Sequence, residues 1–183
     1  MYETNMRRIT LQDVPALSFI AKKTFYDTFT GTCTEDDMAD FLQRFYSEEV
    51  LLEEVKNPAV QYFFIEINDK PAGYILFADA DIEFDEIKGS SALELKRFYI
   101  LDDYHGKGLA QNMMHFLIDH AVAEGYDCIF LGVWEHNLKA QKFYHKFQFK
   151  LTSHTHDFPI GNTPQTDVYM WRTTEGRRRT TDD

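Results

Sequence analysis

Thiols are scarce in this chain: 183 residues include two cysteines, Cys33 and Cys128. They lack the spacing of a zinc or redox motif. That argues against a metal-held or disulfide-stapled scaffold and for free thiols in a reducing compartment. Long apolar runs are missing as well. None reaches the roughly 18 residues of a membrane span. The first ten residues, MYETNMRRIT, hold no stretch like a secretory signal. A cytoplasmic protein that does not enter membranes is the expectation. Positive charge is also short, with 19 Lys and Arg against 30 Asp and Glu and a net charge of -11. A field of that sign repels nucleic acid and attracts cations.

The acids are clustered. Over residues 26–54, Asp27, Glu35, Asp36, Asp37, Asp40, Glu48, Glu49, Glu53 and Glu54 are accompanied by Arg44 alone. A second cluster, Asp79, Asp81, Glu83, Asp85, Glu86 and Glu94, faces Lys88. Such surfaces keep a protein soluble, and they also suit a cationic ligand.

Apolar residues make up 44% of the chain, enough for a packed core. Residues 11–29 carry helical spacing, with Gly31 beyond them. Thr34 and Ser47 are placed to cap helices through about Tyr46 and Lys56, the second stopped by Asn57-Pro58. The period then changes to two: VQYFFIEI and AGYILFADA, joined by NDKP, predict a hairpin. An acidic loop at 81–91 precedes a strand, ALELKRFYIL. A helix to Glu124, the apolar strand DCIFLGVW, a helix capped by Asn137 and a closing antiparallel pair follow. The class is α+β. The two strands joined through the helix crossover are expected to be parallel. One domain over 1–172 and a loose tail over 173–183 are the expected organisation.

Two stretches carry the chemistry. In DDYHGKGLAQNMMHF two glycines flank a lysine between a strand and a helix. A helix N-terminus presents unpaired N–H groups and partial positive charge, and glycine lets the backbone approach a bulky anion. His105 to Ala110 therefore suits a phosphate or pyrophosphate. The spacing is neither that of a Walker loop nor G-x-G-x-x-G. The second stretch, GVWEHNLKAQKFYHKFQF, puts Asn137 after a buried strand and Tyr144 two helical turns along, on the same face. Read alone, Asn137 is a cap and Tyr144 a core tyrosine.

Together these stretches resemble the GNAT superfamily of acetyl-CoA-dependent N-acetyltransferases. The first motif reads His105-Gly106-Lys107-Gly108-Leu109-Ala110, with His105 where the family has Gln or Arg. The second reads Asn137, Ala140, Phe143, Tyr144 and Phe149, with Gln148 in place of Gly. TFYDTF, YFFIEI, LGVWEHN and GNTPQTDVYM extend the likeness to the PaiA-type spermidine/spermine branch. The resemblance implies a mixed, mostly antiparallel central sheet. Its parallel central strand pair would be splayed for acetyl-CoA, with helices on both faces.

It also implies a division of labour. The backbone at Phe98, Tyr99 and Ile100 would pair with the pantetheine arm, which can act as a short extra strand. The amides of His105, Gly106, Lys107, Gly108, Leu109 and Ala110 would hold the pyrophosphate, and Asn137 the arm near the splay. Tyr144 would reprotonate the leaving thiolate, a role its ordinary pKa near 10 allows. An alkylamine with a pKa of about 10.4 is mostly charged at pH 7, a deficit of roughly 4 kcal/mol, so a base is needed. Glu94, eleven residues before His105, matches the place where some members keep a catalytic glutamate. Its strand parity is that of Lys96 and Phe98. Tyr26, Asp27, Glu35 and Asp37 fall beside the family's acceptor groove and suit spaced ammonium groups.

The implied acceptor is a small amine, polycationic, with acetyl-CoA as co-substrate. Homodimers are common in the superfamily. His154, His156 and Asp157 lack a third fixed ligand, and no metal is expected. Transfer to another amine (a protein lysine, an N-terminus, an aminoglycoside) and a non-catalytic acyl-CoA sensor are the alternatives, since a fold does not fix the acceptor.

Overall fold

The computed structural model describes residues 3–174. The chain opens with β1 (Thr4–Arg8) and a single 3-10 turn at Leu11–Asp13, then α1 (Val14–Phe29) with a proline in its first turn. α2 (Glu35–Tyr46) and α3 (Glu48–Lys56) follow. Their caps are the expected ones: the Asp37 N–H donates to Thr34 Oγ1 at 3.1 Å and the Val50 N–H to Ser47 Oγ at 3.4 Å. Glu35, Asp36 and Asp37 occupy the first turn of α2, where the helix dipole favours negative charge. β2 (Val60–Ile67) and β3 (Lys70–Asp79) form the hairpin. Asn68 and Asp69 both take positive φ, 48° and 61°, the turn chemistry that matches strand twist. β4 (Ala92–Ile100), α4 (Leu109–Glu124), β5 (Cys128–Trp134), α5 (Leu138–Lys146), β6 (Lys150–Asp157) and β7 (Thr166–Thr173) complete the order.

One seven-stranded sheet runs β1-β2-β3-β4-β5-β7-β6. β4 and β5 are the parallel pair, and the other neighbours are antiparallel. β1 is an addition to the sequence reading. TNMRR carries no apolar alternation, and it becomes a strand by pairing with β2 from Thr4↔Ile67 to Arg8↔Phe63. β7 inserts between β5 and β6 rather than closing the sheet at its edge. Of the tail expected over 173–183, Thr173 ends β7, and the Thr174 N–H donates to the Asp127 carbonyl at 3.0 Å. Residues 175–183 lie outside the described residues.

Each face of the sheet has its own core. Leu109, Met113, Leu117 and Ala121 of α4 and Tyr144 of α5 pack on Ile75, Phe77, Leu93, Leu95, Ile129 and Leu131. On the opposite face Leu17, Ala21, Phe25 and Phe29 of α1 pack with Met38, Tyr46 and Leu51 on Tyr62, Phe64 and Tyr74. A bulge separates two halves of β4: Leu95 faces Phe77 and Arg97 faces Leu76, leaving Lys96 extra. Leu93 and Leu95 therefore share the α4 face with Phe98 and Ile100, while Tyr99 packs on the α1 side. Simple alternation placed Glu94 with Phe98. The bulge reverses that, because one inserted residue switches the face of everything beyond it.

Candidate active site

β4 and β5 pair from Ala92↔Cys128 to Leu95↔Leu131 and then part. Beyond that point β4 pairs with β3 alone, from Arg97 to Ile100. A cleft of about 1140 Å³ opens there. Phe98, Tyr99 and Ile100 line it from β4, Gly132 and Trp134 from β5, and Tyr144 from α5.

At one end stands the turn into α4. Gly106 and Gly108 have φ of 76° and 80°, a region that costs other residues strain. A Cβ on either would meet no atom within 4 Å, so the backbone faces open space. The Asn112 N–H donates to the Gly108 carbonyl at 3.2 Å. The amides of Leu109, Ala110 and Gln111 donate to no backbone carbonyl among the described residues. This is a helix N-terminus with free donors and room for an anion. His105 points elsewhere: its Nε2 lies 3.0 Å from the Ile100 carbonyl and its Nδ1 3.4 Å from Asp102. It ties the turn to the end of β4. Lys107 Nζ donates to the Asp103 carbonyl at 2.8 Å and lies 4.7 Å from the Tyr104 ring.

Asn137 caps α5, its Oδ1 accepting from the Ala140 N–H at 3.1 Å. Its side-chain amide can still donate into the cleft that it lines. Tyr144 is buried, held edge-on by Phe98 and Phe149 at 6.2 and 5.8 Å. Burial, reinforced by Asp167, keeps its hydroxyl protonated far above the ordinary tyrosine range. The hydroxyl is thus protonated at neutral pH.

The opposite wall is ionic and aromatic. Glu94 faces the cleft and pairs with Lys96 at 2.6 Å. Lys96, the bulged residue, also lies 3.6 Å from Asp81. Arg97 forms a two-point pair with Glu54 of α3 at 2.7 and 3.1 Å, and it lies 4.9 Å from the centre of the Tyr46 ring. Glu54 and Arg97 are 43 positions apart; sequence reasoning counted Glu54 only within the acidic cluster and missed Arg97 and the pair. It missed Asp167 too, a carboxylate on β7 whose burial pushes its pKa up to about 7. The one hint was an acid inside TDVYMWR, on the same side of the strand as Tyr169 and Trp171.

Of the four residues placed beside the acceptor groove, Asp27 lines the cleft, paired with Lys23 at 2.5 Å. Tyr26, Glu35 and Asp37 stand outside the lining. The Tyr26 hydroxyl lies 3.3 Å from Glu35, and Asp37 packs against Gly161. His154 meets Phe84 and Glu86, and His156 stacks on Tyr169. No helix among the described residues is long and apolar enough to cross a membrane.

A sheet parted at one parallel pair, with an anion-accepting helix N-terminus at its edge, is an architecture for holding a phosphate-bearing cofactor with an extended arm. The sequence pattern of the acetyltransferase (GNAT) family matches residues 22–149, and the chain belongs to that family. An N-acetyltransferase of Lactobacillus delbrueckii subsp. lactis, itself uncharacterized, is 29% identical over 89% of this chain and 93% of its own. The spermine/spermidine N(1)-acetyltransferase of Bacillus subtilis is 40% identical over 37% of this chain and 45% of its own. The PaiA N-acetyltransferase of Thermoplasma acidophilum, solved with coenzyme A, shares the fold at a TM-score of 0.74. It is 19% identical and covers 93% of this chain and 99% of its own. The protein is an acetyl-CoA-dependent N-acetyltransferase.

Proposed function

We propose that the acceptor is a small polycationic primary amine of the spermidine or spermine kind. One observation carries this reading: the acceptor side of the cleft is lined by Asp27, Glu54, Asp81, Glu94 and Asp167, and its two cations, Lys96 and Arg97, are both already paired with acids. Phe25, Phe29, Tyr46 and Trp134 complete that wall. Carboxylates spaced along an aromatic groove suit an alkyl chain bearing several ammonium groups. The Bacillus relative's name points the same way.

Acetyl-CoA supplies the acyl thioester. The free edge of β4 at Phe98, Tyr99 and Ile100 is suited to pair with the pantetheine arm, and the amides of 106–111 with the pyrophosphate. The Asn137 side-chain amide can steady the arm where the strands part. Tyr144 Oη holds the proton that goes to the leaving sulfur, and the packing of Phe98 and Phe149 fixes its ring. Glu94, Lys96 and Asp27 sit where an incoming amine is sorted and oriented, with Tyr26, Glu35 and Asp37 on the surface beside Asp27's helix. Attack is direct, with both substrates bound together.

Thiol release from acetyl-CoA tests the reading, with spermidine, spermine, a lysine peptide and an aminoglycoside compared. Saturable turnover with the polyamines, at a KM of about 1 μM to 1 mM, is expected. Faster turnover of the lysine peptide or the aminoglycoside would transfer the acceptor role to that class.

A further inference from the structure

Asp167 stands on β7 opposite Trp134 of β5 and His156 of β6. Its side chain leans over Gly132, and a Cβ built there would lie 3.0 Å from Asp167 Oδ2. Gly132 is the next residue after Leu131, the last in β5 to pair with β4. The carboxylate therefore sits at the apex of the opening, on the acceptor face of the sheet. Tyr144 reaches the same cleft from the α4–α5 face and senses the Asp167 charge.

The other cleft acids are engaged: Glu94 and Asp81 by Lys96, Glu54 by Arg97, Asp27 by Lys23, and Asp102 by His105. Among the described residues no ion pair or hydrogen bond holds Asp167, and burial alone acts on it. A half-buried carboxylate lining the cleft without a counter-charge is the acid there most open to taking up a proton.

We propose that Asp167 is the proton acceptor that frees the amine for attack on the acyl thioester. This rests on the acetyl-transfer reading of the cleft. The ammonium gives one proton to Asp167 Oδ and becomes a nucleophile. The N–C bond forms and the C–S bond breaks. Tyr144 Oη gives its proton to the sulfur and regains one from the acylated nitrogen. Asp167 then releases its proton to water. The balance is one ammonium and one thioester to one amide, one thiol and one proton. Tyr144 and Asp167 reach the cleft from opposite faces of the sheet.

A base works best with a pKa near the working pH, and burial brings Asp167 to about 7. The titratable groups around it are Tyr46 of α2, Tyr99 of β4, Tyr144 of α5, Tyr169 of β7 and His156 of β6. Burial raises all four tyrosines, and His156 faces Asp167 across the β6–β7 pairing.

The test is the pH profile of kcat for the wild type, Asp167→Asn, Glu94→Gln and His156→Gln, using the best amine of the panel. Acetyl-CoA binding and melting are followed in parallel. Asp167→Asn should lower kcat about 100-fold at pH 7.5 and abolish the acidic limb near pH 7. The deficit should shrink as the pH approaches the amine's own pKa of about 10, where no base is needed. Acetyl-CoA affinity should be unchanged, and melting at pH 8 should be no lower than wild type, because the change removes a half-buried charge that has no counter-charge. Asp167→Glu, which keeps the carboxylate, should retain the limb at reduced kcat. A normal profile in Asp167→Asn, or a limb lost in Glu94→Gln or His156→Gln instead, overturns the proposal and leaves acetyl transfer standing. A wild type silent toward every amine overturns acetyl transfer and the base together.

Discussion

Asp167 crowds Gly132: its Oδ2 lies 3.0 Å from where a Cβ on Gly132 would stand. Tyr169 Cε1 would lie 3.2 Å from that Cβ. The glycine is what lets an acid reach the apex of the parted strands. Gly132→Ala should push the carboxylate aside by a few tenths of an ångström. We expect kcat to fall about tenfold with acetyl-CoA affinity intact, since small misplacements at a reacting centre cost large factors. Steady-state kinetics and calorimetric binding check this. Wild-type kcat in the variant would show that the carboxylate's position is immaterial.

Tyr144→Phe removes the proton donor but keeps the ring against Phe98 and Phe149. A loss of roughly 100-fold in kcat is expected, with little change in acetyl-CoA affinity. Turnover equal to wild type would rule out Tyr144 as the acid.

Glu54→Gln leaves the Arg97 guanidinium, 15% exposed, without its counter-charge on the floor of the cleft. Breaking a buried pair costs about 3–5 kcal/mol, and the one-third exposure of Glu54 places this case near 3. Urea unfolding measures it. A loss below about 1 kcal/mol would mean that Tyr62 and the Tyr46 ring suffice to hold Arg97.

Gln148→Gly should stabilise the protein. α5 ends with the Phe149 N–H donating to the Tyr144 carbonyl at 3.2 Å and the Gln148 N–H to the His145 carbonyl at 3.0 Å. This is the two-bond helix stop that places one residue in the left-handed region. That residue is Gln148, with φ 66°, whereas α4 ends the same way on Gly125, with φ 81°. Relief of the strain, less the added freedom of the unfolded chain, leaves about 0.5–1 kcal/mol. Thermal melting gives the answer, and a lower Tm would show that the Gln148 side chain supplies more than the strain removes.

The local elements could be read directly from the residues. Thr34 and Ser47 cap helices because their oxygens lie within reach of an N–H three residues on. The hairpin at Asn68-Asp69 and the glycine turn at 106–108 rest on backbone conformations that few residues tolerate. Motif spacing along α5 brought Asn137 and Tyr144 to one cleft. These features depend on interactions within a few positions of chain, and residue type settles them. Other features depend on distant partners. β1 is a strand because β2 offers it an edge. Glu94 turns to the acceptor face because one residue bulges against β3. Arg97 meets Glu54 across the cleft floor. Asp167 became visible as a candidate base through its place over Gly132 where β4 and β5 part and its lack of a partner, since nothing in TDVYMWR tells that β7 lies beside β5 over a glycine. Burial and the absence of a counter-charge are properties of the packed chain, and they turn an ordinary carboxylate into one that exchanges its proton near neutral pH.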